Sequence, residues 1–269
     1  MMSPSQNTVR RRLADGAAWA ILLLYALIAW GAEGGFGAPL DPVLAAARAR
    51  GTLRVAVDVG FRPFADMREG VLVGYDIELA SALAARLGLT AEFVPTGYDA
   101  LYDALTSGRA DVVAAALPYA PEQGYRARFT SVYFDAGQVL VVAADGPIGG
   151  PTHLAGRQVG AALGSDADAL ARRMAERGSF ALRSNYDEPA EALADLRAGR
   201  LDAVITDAVT ALGAVQGAPG LRIAAPLTSE PLVMAVPRPA FQLEAELNRA
   251  LADLRSEGFF EELNRRWFR

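Results

Sequence analysis

The stretch Leu105-Thr-Ser-Gly-Arg-Ala-Asp111-Val-Val recurs downstream as Leu196-Arg-Ala-Gly-Arg-Leu-Asp202-Ala-Val. Each copy predicts a helix that stops at glycine and a strand that opens after an aspartate. Around the first copy, Leu53–Val57 reads as a buried strand. Tyr75–Leu87 reads as a helix with Ile77, Ala80, Leu83, Ala84 and Leu87 on one face, stopped by Gly88. Ala91–Val94 is a predicted strand, Asp99–Thr106 a helix and Val112–Ala116 a strand. Such alternation implies a parallel sheet covered by helices on both faces. Before the second copy, Arg173–Gly178 closes a helix as Ala84–Gly88 does, and Gln158–Ala161 matches the strand around Val55. Any two α/β units share some of this punctuation. The sharper reading is two similar α/β lobes, the second starting near Gly137.

Beyond the second lobe, Leu232–Val236 reads as a strand and Phe241–Leu254 as an amphipathic helix. Phe259, Leu263 and Trp267 then recur at helical spacing. These elements are too few for a third domain and are expected to return to the first lobe. Two connections between lobes would form a hinge, with a cleft at the carboxyl ends of the strands. The expected organisation is 1–38 as signal peptide or membrane anchor plus linker, 51–136 with 231–269 as lobe one, and 137–230 as lobe two.

Composition removes much chemistry. All 26 basic residues are arginine, there is no cysteine, and His153 is the one histidine. Walker-type phosphate loops, Schiff bases, thiolate nucleophiles, disulfides and histidine-cluster metal sites are excluded. A net charge of −5 argues against a nucleic-acid partner. At the start, Arg10, Arg11 and Arg12 precede an apolar run from Ala17 to Trp30. A basic stretch followed by a short apolar one describes an export signal. The run is shorter than the ~20 residues that span a bilayer. Ala29-Trp30-Gly31 fits the cleavage rule only loosely, so both a cleaved signal and a retained anchor stay open. Either places the body of the protein on the periplasmic or extracellular side of the membrane.

A family resemblance rests on an ordered set of segments. These are Gly51-Thr-Leu-Arg-Val-Ala-Val57-Asp58, Phe61-Arg-Pro63-Phe64 and Gly74-Tyr-Asp76-Ile-Glu-Leu-Ala80, then Ala104–Val112 and Phe129-Thr-Ser-Val-Tyr133-Phe. Ala203-Val-Ile-Thr-Asp207 and Glu257-Gly-Phe-Phe-Glu-Glu-Leu-Asn-Arg-Arg-Trp267-Phe complete it. From Gly51 to Phe268 the chain resembles the family 3 solute-binding proteins of ABC transporters. The resemblance implies the type II periplasmic binding protein architecture: two Rossmann-like α/β lobes joined by crossovers near Tyr133–Gly137 and Thr228–Pro231. It implies a monomer without cofactor or metal. It also implies that a small polar ligand, an amino acid or related amine, is captured by lobe closure and passed to a permease.

The site residues carried over are these. Asp58 would face the cleft from lobe one, with Phe61 and Tyr98 as rings around the ligand, and Ala116 and Pro118 are carried over as further ligand-binding positions. Ser165, in Leu163-Gly-Ser165-Asp166, sits where a strand turns into a helix whose free N–H groups can hold a carboxylate. Asp166 adds a second acid there, and Asp207 matches the aspartate that receives a ligand amino group. One match fails. Amino-acid binders of this family usually carry Thr-Pro-Glu-Arg, whose arginine clamps the ligand carboxylate; this chain has Ala120-Pro-Glu-Gln123, so Gln123 is expected at the ligand in place of the arginine without supplying its charge. A preceding hydroxyl donor is replaced by Pro118. Arg126 would substitute for the clamp if its segment were helical. The carboxylates otherwise face no protein cation, so the ligand is expected to carry an amine.

Plainer roles stand beside these. His153 lies in a turn-rich stretch, Phe61 and Phe64 also suit a core, and Asp207 also suits a cap for a helix over Ala208–Val215. The alternative function is a periplasmic enzyme on the same scaffold, cyclohexadienyl dehydratase-like. It would need a general acid in the cleft, such as Glu122 or Asp166, and a carboxylate clamp.

Overall fold

The structure, a computed structural model, describes residues 41–178, 180–217 and 219–268. The export-signal segment 1–38 lies outside the described residues. Asp41 opens helix α1 (Pro42–Arg50), its Oδ1 accepting from the Leu44 N–H at 2.6 Å. Its Oδ2 accepts from the N–H groups of Gln242 and Leu243, each at 2.8 Å. One buried carboxylate thus caps two helices far apart in sequence. Leu44 and Ala47 lie in the same core as Val55 and Val57. The packed first half therefore begins before Gly51, where the sequence pattern drew its edge.

The chain continues as β1 (Thr52–Val57), the hairpin β2 (Asp66–Arg68) and β3 (Val71–Val73), α2 (Tyr75–Arg86), β4 (Thr90–Pro95), α3 (Leu101–Thr106) and β5 (Val112–Pro118). Short strands β6 (Ala127–Phe129) and β7 (Phe134–Asp135) lead into β8 (Gln138–Ala143). The second half holds β9 (Gln158–Ala162), α4 (Asp166–Arg177), β10 (Ala181–Tyr186), α5 (Pro189–Arg197), β11 (Ala203–Asp207), α6 (Ala208–Gly217) and β12 (Leu221–Pro226). Strand β13 (Pro231–Pro237) and helices α7 (Phe241–Ser256) and α8 (Phe259–Trp267) complete the described chain. No helix among the described residues is long and apolar enough to cross a membrane.

The two main sheets repeat one plan. Their strand orders are β4-β1-β5-β13-β6 and β10-β9-β11-β8-β12. In each, three strands run parallel and the fourth is antiparallel: β13 beside β5, and β8 beside β11. The expected parallel sheets are therefore mixed. The fourth strand of each sheet enters straight from the other half, without the helical crossover that parallel neighbours need.

The repeated aspartate explains itself here. Asp111 Oδ2 accepts from the Arg54 N–H at 2.9 Å, and Asp111 Oδ1 from Arg54 Nη2 at 2.9 Å. Asp202 Oδ2 accepts from the Gln158 N–H at 2.8 Å, and Oδ1 from Arg157 Nη1 at 3.2 Å. In both halves the aspartate before the third strand ties the start of the first. The preceding glycines, Gly108 and Gly199, take φ of 71° and 69°, a left-handed conformation that side chains resist.

Side chains alternate between two cores. Val55 and Val57 pack under α2, α7 and α8, whereas Ala56, Val113 and Ala235 face α3. In the second half Val141 and Val204 face α5 and α6, and Leu140, Val142 and Ile205 face α4. Helices on both faces, as expected, bury each sheet. Val209 and Leu212 of α6 pack against the first core, so the halves touch outside the crossovers.

The two crossovers run side by side in backbone contact. A Cβ on Gly137 would collide with the Thr228 carbonyl, so only glycine lets the two connections lie this close. Asp135 fastens them. Its Oδ1 accepts from the N–H groups of Gly137 (3.0 Å) and Glu230 (2.8 Å), and its Oδ2 from the Ser229 hydroxyl (2.6 Å). Burial pulls its pKa up. The Ser229, Glu230 and Gly137 donors outweigh that and hold it below the ordinary value.

Candidate binding site

A cavity of about 380 Å³ opens at the carboxyl ends of β1 and β5. Asp58, Phe61, Tyr98, Ala116 and Pro118 all line it, bringing five predicted residues together. Phe64 is only 1% exposed and serves the core as well as the cavity wall, whereas Phe61 is 55% exposed and stacks on it at 5.8 Å between ring centroids. Tyr98 stands in a 3₁₀ turn, Tyr98–Ala100, that precedes α3; the expected single helix from Asp99 is split there. Its hydroxyl is pushed above the ordinary value by burial, then by the charges of Asp58, Glu230 and Asp99.

Ala116 gives this wall its shape. It has φ 44°, a conformation that costs a non-glycine residue about 1–2 kcal/mol. Its N–H donates to Asp76 Oδ2 at 2.6 Å. Asp76 is wholly buried, and burial pushes its pKa up to about 7, against the Ala116 N–H and the Tyr133 hydroxyl, which pull down. Asp76 Oδ1 and the Tyr133 hydroxyl lie in this apolar setting without a well-formed hydrogen bond of their own.

A second cavity of about 190 Å³ lies at the carboxyl ends of β9 and β11, lined by Ser165, Asp166 and Asp207 among others. The Ser165 hydroxyl is already engaged. It donates to the Ala162 carbonyl at 2.7 Å and accepts from the Asp168 N–H at 3.1 Å as the N-cap of α4. What the turn offers a ligand is the N–H of Asp166 and Ala167, which helix geometry leaves without an intrahelical acceptor. Asp207 Oδ1 accepts from the Thr210 N–H at 2.8 Å and so caps α6, while Oδ2 has only a 3.4 Å contact with the Thr206 hydroxyl. Capping and ligand capture are thus compatible, one oxygen each.

Two predicted residues are not brought in. Gln123 ends a 3₁₀ turn, Pro121–Gln123, and lines neither cavity. Arg126 follows in a turn, not a helix, so the condition for swinging inward fails. It pairs with Asp103, stacks over Tyr102 at 5.6 Å and lines a separate groove with Tyr125 and Arg238. Among the described residues, no arginine lines either cavity. His153 sits exposed in a 3₁₀ turn, as its surroundings suggested.

Sequence reasoning missed Glu230, Ala136, Val209 and Asp76. The first three reach the cavity through the crossovers and α6, a placement only topology reveals. Asp76 had a signal, since an acid inside the run Tyr75-Asp-Ile-Glu-Leu falls on a helix face that packs inward.

Two similar sheets, a double crossover and paired cavities at their strand ends define a two-lobed ligand-binding protein of the type II periplasmic architecture. The chain belongs to the bacterial extracellular solute-binding proteins, family 3, whose family model matches residues 53–269. It is 30% identical over 224 residues to the L-cystine-binding protein TcyJ of Escherichia coli (strain K12), covering 81% of this chain and 83% of that one. It is 26% identical over 222 residues to the arginine-binding extracellular protein ArtP of Bacillus subtilis (strain 168), covering 80% and 86%. The solved structure of an ancestral cyclohexadienyl dehydratase is similar with a TM-score of 0.72 and 26% identity, over 84% of this chain and 95% of that one.

Proposed function

We propose that this chain is the extracytoplasmic solute-binding component of an ABC importer. It captures a small polar ligand, an amino acid or related amine, between lobe one (51–136 with 231–269, joined by α1) and lobe two (137–230). It then delivers the ligand to a membrane permease. Export follows from the N-terminal segment, cleaved or kept as an anchor, and the protein works as a monomer. The observation that carries this reading is the pair of cavities, one at the strand ends of each sheet, each reaching a crossover: Ala136 and Glu230 in one, Gln138 in the other. A ligand bridging them is held by both lobes at once. The similarity to cystine- and arginine-binding proteins supports an amine-bearing solute.

The ligand's ammonium group meets Asp207 Oδ2, and a polar or anionic end meets the N–H groups at the start of α4. With no arginine among the described residues that line either cavity, a carboxylate is bound more weakly here than by a guanidinium clamp. A thermal-shift screen over amino acids, amines and small carboxylates tests the reading. A true ligand at a hundredfold excess over its Kd adds about 2.7 kcal/mol, or about 5–10 °C for a chain of this size. A flat response across the panel would contradict it.

A second reading, a dehydratase, is favoured by the ancestral dehydratase neighbour and by Asp166 in the second cavity. Glu122, the other candidate acid, lines neither cavity. Conversion of a cyclohexadienyl acid to an aromatic product, followed by ultraviolet absorbance, separates the two readings, and no turnover is expected.

A further inference from the structure

Behind the first-lobe cavity lies a wholly buried acid, Asp76. Strand β5 bulges where it meets this side chain. Paired with β13, β5 runs from Leu117 back to Val113 while β13 advances only from Val233 to Ala235. Ala116 falls inside that bulge at φ 44°, and with Ala115 it lines the cavity. Its N–H is received by a side chain, Asp76 Oδ2, at 2.6 Å. The carboxylate thus stands in for a strand acceptor where the ladder is interrupted.

The same carboxyl meets a hydroxyl at the start of the first crossover. Asp76 Oδ1 and the Tyr133 hydroxyl are both buried without a well-formed partner, and the hydroxyl pulls the acid's pKa down. The Tyr133 N–H donates at 3.0 Å to the carbonyl of Leu232, itself a cavity residue. One acid therefore joins the cavity wall to the chain that leads into Asp135. Its titratable neighbours are few. Tyr75 on α2 and Tyr133 before β7 are both raised by burial and then by Asp76, while the charges of Arg255 on α7 and Glu261 on α8 act on Tyr75. Asp58, Tyr98 and Glu230 line the cavity that Ala116 borders. No cation offsets the burial of Asp76; only the two hydrogen-bond donors do.

We propose that Asp76 is a positioning residue for ligand binding, which holds the β5 bulge through the Ala116 N–H and, on releasing its proton, tightens the grip on ligand. The proposal rests on the two-lobed binding reading above and adds a control of that site by pH. Asp76 acts through Ala116 and Tyr133. An ionised carboxylate accepts a hydrogen bond about twice as strongly as a neutral one. The ionised acid therefore fixes Ala116 in a conformation that a non-glycine residue resists, and draws in the Tyr133 hydroxyl as a second donor. The protonated acid leaves wall and crossover more loosely joined, and the ligand must then order them at the expense of its own affinity.

Isothermal titration of L-arginine and L-cystine into wild type and Asp76→Asn, from about pH 5.5 to about pH 8.5, tests this. Asparagine keeps an oxygen for the Ala116 N–H and cannot ionise, so it reproduces the protonated state at every pH. The wild type is expected to match the variant at the acid end and to bind about three- to tenfold tighter at the alkaline end. That gain corresponds to a ligand-induced fall of about half to one pH unit in the Asp76 midpoint. The Ala116 amide nitrogen resonance reads the acid without ligand. It is expected to titrate with a midpoint of about 7 in the wild type and to stay level in Asp76→Asn. The melting temperature of each unliganded protein shows that it is folded. A wild-type to variant affinity ratio that is the same at every pH means that Asp76 only packs; it overturns the proposal and leaves the binding function standing. A level Ala116 resonance in the wild type overturns it too. If neither amino acid binds, the compound of the wider panel that most raises the melting temperature takes their place, and a panel without a binder overturns both readings.

Discussion

Burial of Asp76 predicts a contribution to stability that falls as pH rises, opposite to the usual effect of a paired carboxylate. Its folded pKa is about 7 and its unfolded value is about 3.9. Between those values the folded state holds a proton that the unfolded state has released, so stability declines with increasing pH. The decline begins near the unfolded pKa and levels off above the folded one. The full shift of about three pH units corresponds to about 4 kcal/mol, of which about 2.5 kcal/mol falls between pH 5 and pH 8. For a chain of this size that lowers the melting temperature by about 5–10 °C. Asp66, Asp135, Asp168, Asp195 and Glu257 have lowered pKa values. Their contributions are complete above the ordinary carboxylate range and disappear only as pH falls through their folded values. They do not act between pH 5 and 8. Asp76→Asn keeps an oxygen for the Ala116 N–H and removes the titration, so its melting temperature should stay level across that window. Asp76→Ala leaves that N–H buried without an acceptor and should cost about 1–3 kcal/mol more at every pH. Melting curves of the three proteins in half-unit steps of pH provide the assay. Parallel profiles for wild type and Asp76→Asn would refute the reasoning.

Asp207→Asn should retain folded stability, since asparagine caps helices as well as aspartate does, yet weaken binding of an amine-bearing ligand at least about tenfold. Equal calorimetric affinity in the two proteins would remove Asp207 from the site. Arg126→Ala should change ligand affinity by less than about twofold and stability by about 1 kcal/mol, because it breaks a surface pair with Asp103 and a stack over Tyr102, both away from the cavities. A tenfold loss of affinity would restore Arg126 as a carboxylate clamp. Gly137→Ala drives a methyl into the opposing crossover at Thr228 and Ser229, both backbone, and should cost about 2 kcal/mol in chemical denaturation. An unchanged midpoint would mean that the crossovers are not packed as described.

The α/β alternation and its duplication were legible because helix-ending glycines and strand-opening aspartates are local signals. Gly108, Asp111, Gly199 and Asp202 turned out to perform matching tasks in the two halves. Strands β8, β10 and β12 were not singled out, although β8 is as apolar as any. The direction and partners of β8, and of β12 beside it, depend on a chain that has crossed from the other half, which no window of sequence contains, whereas β10 is a half-exposed strand with Arg183, Ser184 and Asn185 in it and little apolar pattern. The site divides the same way. Asp58 and Asp207 follow or end strands and could be placed by pattern alone. Ser165 does sit where a strand turns into a helix, but its hydroxyl is consumed by capping, a competition visible only in hydrogen-bond geometry. Arg126 was within reach by spacing and was lost to Asp103, a neighbour in space from α3. Glu230 escaped notice because a crossover residue carries no periodicity.

Small-angle scattering tests the central claim most directly, that a solute is gripped between two lobes which close about the Asp135 crossover. The protein is measured alone and saturated with the compound that most raises its melting temperature. Closure predicts a smaller radius of gyration in the saturated sample, and a smaller response in Asp207→Asn at the same ligand concentration. A radius that stays the same at proven saturation would contradict the account.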